Sequence, residues 1–197
     1  KVLCLDRFKD GPTNDDVMLF DPADESSCLI AQPTQEKPDS MFCSGHTQLA
    51  TGEIIFVGGG HSQGNGNSYT RIFDPDVAAC GGPTAWTDGD LMPSWAGPRW
   101  YPTCTTLSDG RVLILAGDSL NQTHTADTPA IFDPNAAPGQ QYIQIIQADL
   151  HWPYYPFTFL LTDGKLAIAG SHYFRSEPNP QAEDYWSRTF TILFPQL

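Results

Sequence analysis

Three stretches of the chain superimpose without a gap when their turn glycines are aligned: FCSGHTQLATGEIIFVGG, YPTCTTLSDGRVLILAGD and YPFTFLLTDGKLAIAGSH. The glycines are Gly52, Gly110 and Gly164, spaced 58 and 54 residues apart. Each stretch is a β-rich run, a polar turn and an apolar run, the pattern of a β-hairpin. A second marker keeps the same period: LFDP ending at Pro22, IFDP ending at Pro75, IFDP ending at Pro134 and a degenerate LFP at 193–195. The aspartates of the complete markers, Asp21, Asp74 and Asp133, are 53 and 59 residues apart. Two independent markers with one period leave few options for 197 residues. The chain has to be an array of similar β-units.

A period near ~50 residues with one Gly-rich hairpin per unit is the pattern of a Kelch-type β-propeller. The expected fold is therefore all-β, with about three and a half four-stranded blades, roughly 1–40, 41–97, 98–148 and 149–197. Segments with a helical apolar period are absent, and 17 glycines and 17 prolines favour short strands and many turns. The first unit lacks its innermost strand, because Lys1 opens on the second. Propellers close with ~4–8 blades, so the chain is expected to be a small propeller or part of a larger one. An open stack would leave apolar faces bare. The polar stretches HSQGNGNS and DSLNQTHTAD, after Gly58 and Gly117, are expected as loops at one rim.

A formal net charge of −13, from 10 basic and 23 acidic residues, argues against nucleic acid and anionic membrane as partners. No apolar run approaches the ~20 residues of a membrane span. The chain opens directly on a strand, so a leader has been removed or the sequence starts mid-fold. The sequon Asn121-Gln122-Thr123 falls on an expected rim loop and points to glycosylation of Asn121 and to secretion.

Nine residues before each turn glycine stand Cys43, Tyr101 and Tyr155. Equivalent positions on neighbouring blades lie around the central axis at similar height. The register therefore expects the Cys43 thiol beside the Tyr101 phenol at the mouth of the channel, with Tyr155 one blade on. Core packing alone accounts for such a pair, since both residue types are commonly buried.

The run MFC (Met41 to Cys43), the stretch from Arg71 to Cys80, RWYP (Arg99 to Pro102) and LSDGRVLILAG together resemble the copper-radical oxidases, glyoxal oxidase more than galactose oxidase. The resemblance covers nearly the whole chain in order. It implies a thioether cross-link between Cys43 and Tyr101, copper bound by Tyr101, and a seven-bladed propeller of which this chain is the first half. It also implies oxidation of small aldehydes or alcohols by O₂, giving H₂O₂. The chemistry has its own logic. The reaction removes two electrons and copper carries one, so the protein has to supply a second one-electron carrier. A phenolate beside a dication, made electron-rich by an ortho sulfur, is suited to that.

The family's other ligands, a second tyrosine next to a histidine and a further histidine, have no match, and no Tyr-His pair occurs. The histidines present are His46, His61, His124, His151 and His172. Alternation along the strand points His46 away from the thiol, and the others read as loop residues or, for His151, a residue before an inner strand. Where galactose oxidase stacks a tryptophan on the cross-linked ring, this chain has Ser119. Trp100 either supplies that cover or packs between blades. Arg99 either assists an anionic substrate or pairs with a carboxylate, and Phe42 and Tyr155 line the mouth. Of the five cysteines, Cys4 and Cys28 are expected two strands apart, too far for a disulfide, Cys104 is a buried thiol, and Cys80 has no evident partner.

Two functions follow. One is a secreted copper-radical oxidase, inactive in this chain alone and completed by its missing C-terminal half or by a second chain. The other is a catalytically silent Kelch-type module binding protein or glycan. Fold alone does not choose between them.

Overall fold

The computed structural model describes residues 1–5, 17–29, 41–60, 66–78, 85–120, 124–126, 128–145, 154–169 and 190–192. Among these the chain is all-β, and no helix occurs. The first sheet is β1 (Val2–Leu5), β2 (Val17–Asp21) and β3 (Ser26–Leu29) in that order. The second is β4 (Gly45–Gln48), β5 (Ile54–Val57), β6 (Thr70–Phe73) and β7 (Trp86–Asp88). The third joins β8 (Thr103–Thr106), β9 (Val112–Leu115), β12 (Ala130–Phe132) and β13 (Tyr142–Gln144). The fourth joins β14 (Phe157–Leu160), β15 (Leu166–Ala169) and β16 (Phe190–Ile192). Every pairing is antiparallel. One expectation needs correction. Within DSLNQTHTAD, β10 (Asp118–Leu120) and β11 (His124–Thr125) pair as a bulged two-stranded ribbon between β9 and β12, where a plain loop was expected.

Both sequence markers have a local physical cause. In each hairpin the turn glycine has positive φ, 98° at Gly52, 87° at Gly110 and 81° at Gly164. Each glycine donates its N–H to the residue three before it, at 3.0 Å in all three turns. In the second and third turns Asp109 and Asp163 accept the N–H of Arg111 and Lys165 and pair with their side chains. The first turn reaches the same end with Thr51 donating to Glu53. In each FDP marker the aspartate caps a turn, accepting the N–H of Ala23, Asp76 or Asn135 two residues on.

The sheets stack face to face in chain order, which explains the apolar runs. Phe56 packs toward the first sheet with Val17, Leu19, Phe73 and Trp86. Its neighbours Ile55 and Val57 pack the opposite way, with Val112, Ile114 and Phe132 of the third sheet. Leu113 and Leu115 then face Leu166 and Ile168 of the fourth. A strand buried on both faces cannot alternate apolar with polar, and VLIL in β9 does not. Strands β4, β8 and β14 run side by side, joined by hydroxyls. Thr47 pairs with Thr106 at 3.0 Å, Thr105 with Thr158, and Thr103 donates to the Pro156 carbonyl at 2.9 Å. The two ends of the stack are apolar and open: Val2 is 48% exposed on β1, and Phe157 and Phe159 are 63% and 57% exposed on β14.

Gly52→Ala and Gly58→Ala separate two kinds of glycine requirement. Both positions have positive φ. A Cβ at Gly52 meets open space, whereas one at Gly58 would lie 2.3 Å from the Arg99 carbonyl oxygen. Urea denaturation should show a loss of about 1–2 kcal/mol for Gly52→Ala, from backbone strain alone. Gly58→Ala should lose clearly more, and equal losses would contradict the close approach.

Candidate functional site

The turns that lead into β4, β8 and β14 form the candidate site. Cys43, Tyr101 and Tyr155 have φ of 64°, 65° and 45°. Side-chain-bearing residues avoid this left-handed region at a cost of roughly 1–2 kcal/mol each. What holds them there is a backbone ladder from unit to unit. The Tyr101 N–H donates to the Cys43 carbonyl at 2.9 Å, and the Tyr155 N–H donates to the Tyr101 carbonyl at 3.1 Å. The three positions equivalent in sequence are thus joined in space. They lie in turns two residues ahead of the strands, so strand alternation does not set their direction.

Aromatic rings gather on Tyr101. Trp100 stacks on it with centroids 3.8 Å apart and planes 21° apart, Tyr155 lies at 4.7 Å, and Tyr154 meets it edge-on at 5.8 Å. Tyr154 also meets Trp100 edge-on. Trp100 is buried, and its indole N–H has no hydrogen-bond partner among the described residues. It therefore both packs in the interior and covers the Tyr101 ring. The Tyr155 hydroxyl donates to the Ser44 carbonyl at 3.2 Å. Burial pushes its pKa far above the usual phenol range, and the neighbouring Cys43 and Tyr101 add to that, so it stays a neutral donor.

Arg99 serves neither of its expected roles. It is wholly buried, and its guanidinium donates to two main-chain carbonyls, Ala116 at 2.8 Å and Thr128 at 2.7 Å. No carboxylate pairs with it among the described residues. Burial lowers its pKa to about 10, which still leaves it cationic at neutral pH. Its backbone is gripped as tightly: the Arg99 N–H donates to the Asn67 carbonyl, the Gly59 N–H donates to the Arg99 carbonyl, and Gly58, Gly66 and Gly117 press against this segment. Phe42 is half-buried in the turn before Cys43, and its carbonyl accepts the Gly60 N–H at 2.8 Å.

Among the cysteines, Cys4, Cys43 and Cys104 form no disulfide, which agrees with the separation expected for Cys4. Cys28, however, is disulfide-bonded. Cys104 is buried and its thiol is pushed up to about 12. His46 stacks on Phe56, on the side facing the first sheet. His61, His151, His172, Cys80 and Asn121 lie outside the described residues. No group of three His, Cys, Asp or Glu side chains suited to a metal occurs among the described residues. Around Tyr101 the side chains shown are Trp100, Tyr154 and Tyr155, which among the described residues offer phenol oxygens without an imidazole. That set does not fit a tetragonal Cu(II) site, which needs nitrogen and oxygen ligands together.

Reasoning from the sequence missed Tyr154 and Ser44. The signal for Tyr154 was present, since WYP at Trp100–Pro102 and YYP at Tyr154–Pro156 hold the same register. Ser44 acts through its carbonyl, which no residue type announces.

No sequence-family model and no curated protein matches the chain. Among solved structures it is similar to a fungal alcohol oxidase of the AA5 family, in complex with copper. The TM-score is 0.63 at 16% identity, over 81% of this chain and 33% of the oxidase chain. The likeness is one of fold, and the chain spans a third of that protein's length.

Replacing Arg99 tests the buried cation. Arg99→Lys keeps the charge but cannot reach both carbonyls with one ammonium. It should cost about 1.5–3 kcal/mol in urea denaturation, the value of one charge-assisted hydrogen bond. A loss below about 0.5 kcal/mol would mean that the two contacts contribute little.

Proposed function

We propose that the chain is part of a secreted copper-radical oxidase, glyoxal-oxidase-like, that oxidises small aldehydes or alcohols with O₂ and releases H₂O₂. In this reading the stacked sheets are Kelch-type blades, roughly 1–40, 41–97, 98–148 and 149–197, of a seven-bladed propeller. Cys43 and Tyr101 are the cross-linked pair, Tyr101 is the phenol that turns to the metal, and Trp100 shields its ring. Arg99 acts from behind as the anchor of the Trp100–Tyr101 segment, and Phe42 and Tyr155 line the mouth. The open faces carrying Val2 on one side and Phe157 and Phe159 on the other are where the rest of the propeller, or a second chain, packs. Asn121 is the expected glycosylation site.

The observation that carries this reading is the 2.9 Å hydrogen bond from the Tyr101 N–H to the Cys43 carbonyl, together with the indole stacked on the Tyr101 ring. The likeness of fold to a copper-bound alcohol oxidase supports it. A catalytically silent module for protein or glycan remains the second reading. It is favoured by one observation, the lack of an imidazole beside Tyr101 among the described residues.

Mass spectrometry of a protease digest separates the two. From the full-length protein matured with copper, one species should join the peptides around Cys43 and Tyr101, lighter by two hydrogens and stable to reductant. Full alkylation of Cys43 in that protein, without prior reduction, would instead support the silent module. The 197-residue chain alone, loaded with copper and given small aldehydes and O₂, should make no peroxide. Peroxide production would place nitrogen ligands within this chain and restore His151 as a candidate.

A further inference from the structure

Contacts around Cys43 and Tyr101 close into a circuit. The Tyr101 N–H bonds the Cys43 carbonyl, and the Tyr155 N–H bonds the Tyr101 carbonyl. The Tyr155 hydroxyl then returns to the Ser44 carbonyl, the residue after Cys43, across 111 positions of sequence. Its ring meanwhile lies 4.7 Å from that of Tyr101. Tyr155 thus reaches the turn that carries Cys43 through a hydrogen bond on Ser44, and Tyr101 through a ring contact. We propose that Tyr155 is a positioning residue whose hydroxyl, clasped on the Ser44 carbonyl, holds the Cys43 turn against Tyr101.

The physical need is clear from the turn itself. Met41 to Ser44 is a tight turn closed by the Ser44 N–H on the Met41 carbonyl at 3.1 Å. Cys43 sits in it at φ 64°, a conformation it would leave if released. The β4–β5 ladder begins only at Gly45, paired with Val57, so Ser44 lies one residue beyond its support. A donor from a third unit supplies what the ladder does not. The same bond ties the first hairpin unit to the third, so the turn is held from the second unit by the Tyr101 N–H and from the third by the Tyr155 hydroxyl.

This inference rests on the reading that Cys43 and Tyr101 are the reactive pair, and it is testable apart from copper. Tyr155→Phe keeps the ring and removes the clasp. In the copper-free 197-residue chain, native-state alkylation of Cys43 and Cys104 can be followed in the same molecules by mass spectrometry. Cys43 should alkylate roughly fivefold faster in the variant, the effect of losing one net hydrogen bond, while Cys104 stays as slow as before. Thr51→Ala, which removes a hydroxyl from the exposed turn of the same hairpin, should leave both rates unchanged. Equal acceleration at Cys43 and Cys104 in Tyr155→Phe, or no change at Cys43, would overturn the proposal. Should the variant not fold, amide exchange in the unmodified chain decides. The Tyr101 N–H should be protected as well as the amides of β8, and fast exchange would overturn the clasp. Selective acceleration at Cys43, combined with no cross-link in the copper-matured full-length protein, would keep Tyr155 as a positioning residue and end the oxidase reading.

Discussion

The structure depends on a main-chain ladder at the head of the inner strands. Cys43, Tyr101 and Tyr155 sit in the left-handed region, and each accepts or donates a bond to its counterpart in the next unit. Only that backbone shape turns the amide of one unit toward the carbonyl of the previous one. Glycine would adopt it without strain, yet all three positions carry side chains. The strain of roughly 1–2 kcal/mol each is met by the inter-unit bonds and by the packing of the sheets behind them. Left-handed backbone at these positions is therefore an architectural demand of the three hairpin units. By itself it says nothing of function. The choice of thiol and phenol at places where glycine costs least is what requires an explanation.

The segment before Tyr101 shows why the second hairpin unit is approached through Arg-Trp-Tyr-Pro. Its backbone passes between glycines so close that a methyl group at Gly58 or Gly66 would overlap main-chain atoms of Arg99 or Trp100. The Arg99 guanidinium then reaches from there to the carbonyls of Ala116 and Thr128, after β9 and before β12. A buried charge is expensive, and two carbonyl acceptors offset only part of that, with the arginine Nε left without a partner among the described residues. The return is rigidity at the base of the aromatic group. Trp100 and Tyr101 are held by main-chain bonds on one side and by the arginine on the other, so their stacked geometry does not depend on surface contacts.

Much of the architecture was legible because it is written in repeats. The turn glycines, the capping aspartates and the doubly buried apolar runs each have a residue-level cause, and each recurs at one spacing. The register also placed Cys43, Tyr101 and Tyr155 together, since equivalent positions of stacked units must be neighbours. Three things were not legible. The fate of Arg99 was misjudged because main-chain carbonyls, its true acceptors, belong to every residue and mark none. The β10–β11 ribbon was hidden because polar residues at a tight ribbon look like those of a loop. The Tyr155–Ser44 contact spans 111 residues and ends on a carbonyl, so no pattern of side chains announces it.

What separates an oxidase fragment from a silent module is thus not the fold, which serves both, but the surroundings of one ring. Tyr142 is half-buried and bonded to Thr70 through its hydroxyl. Tyr101 is also half-buried, covered on its faces and edge by Trp100, Tyr155 and Tyr154, and joined through the main chain to a cysteine. Stacked aromatic neighbours stabilise a ring that becomes electron-poor, because their π-faces carry negative charge toward it. In the oxidase reading proposed above, the three aromatic rings around Tyr101 would support the loss of an electron from that phenol; in the silent-module reading the same rings pack the turns that lead into the inner strands.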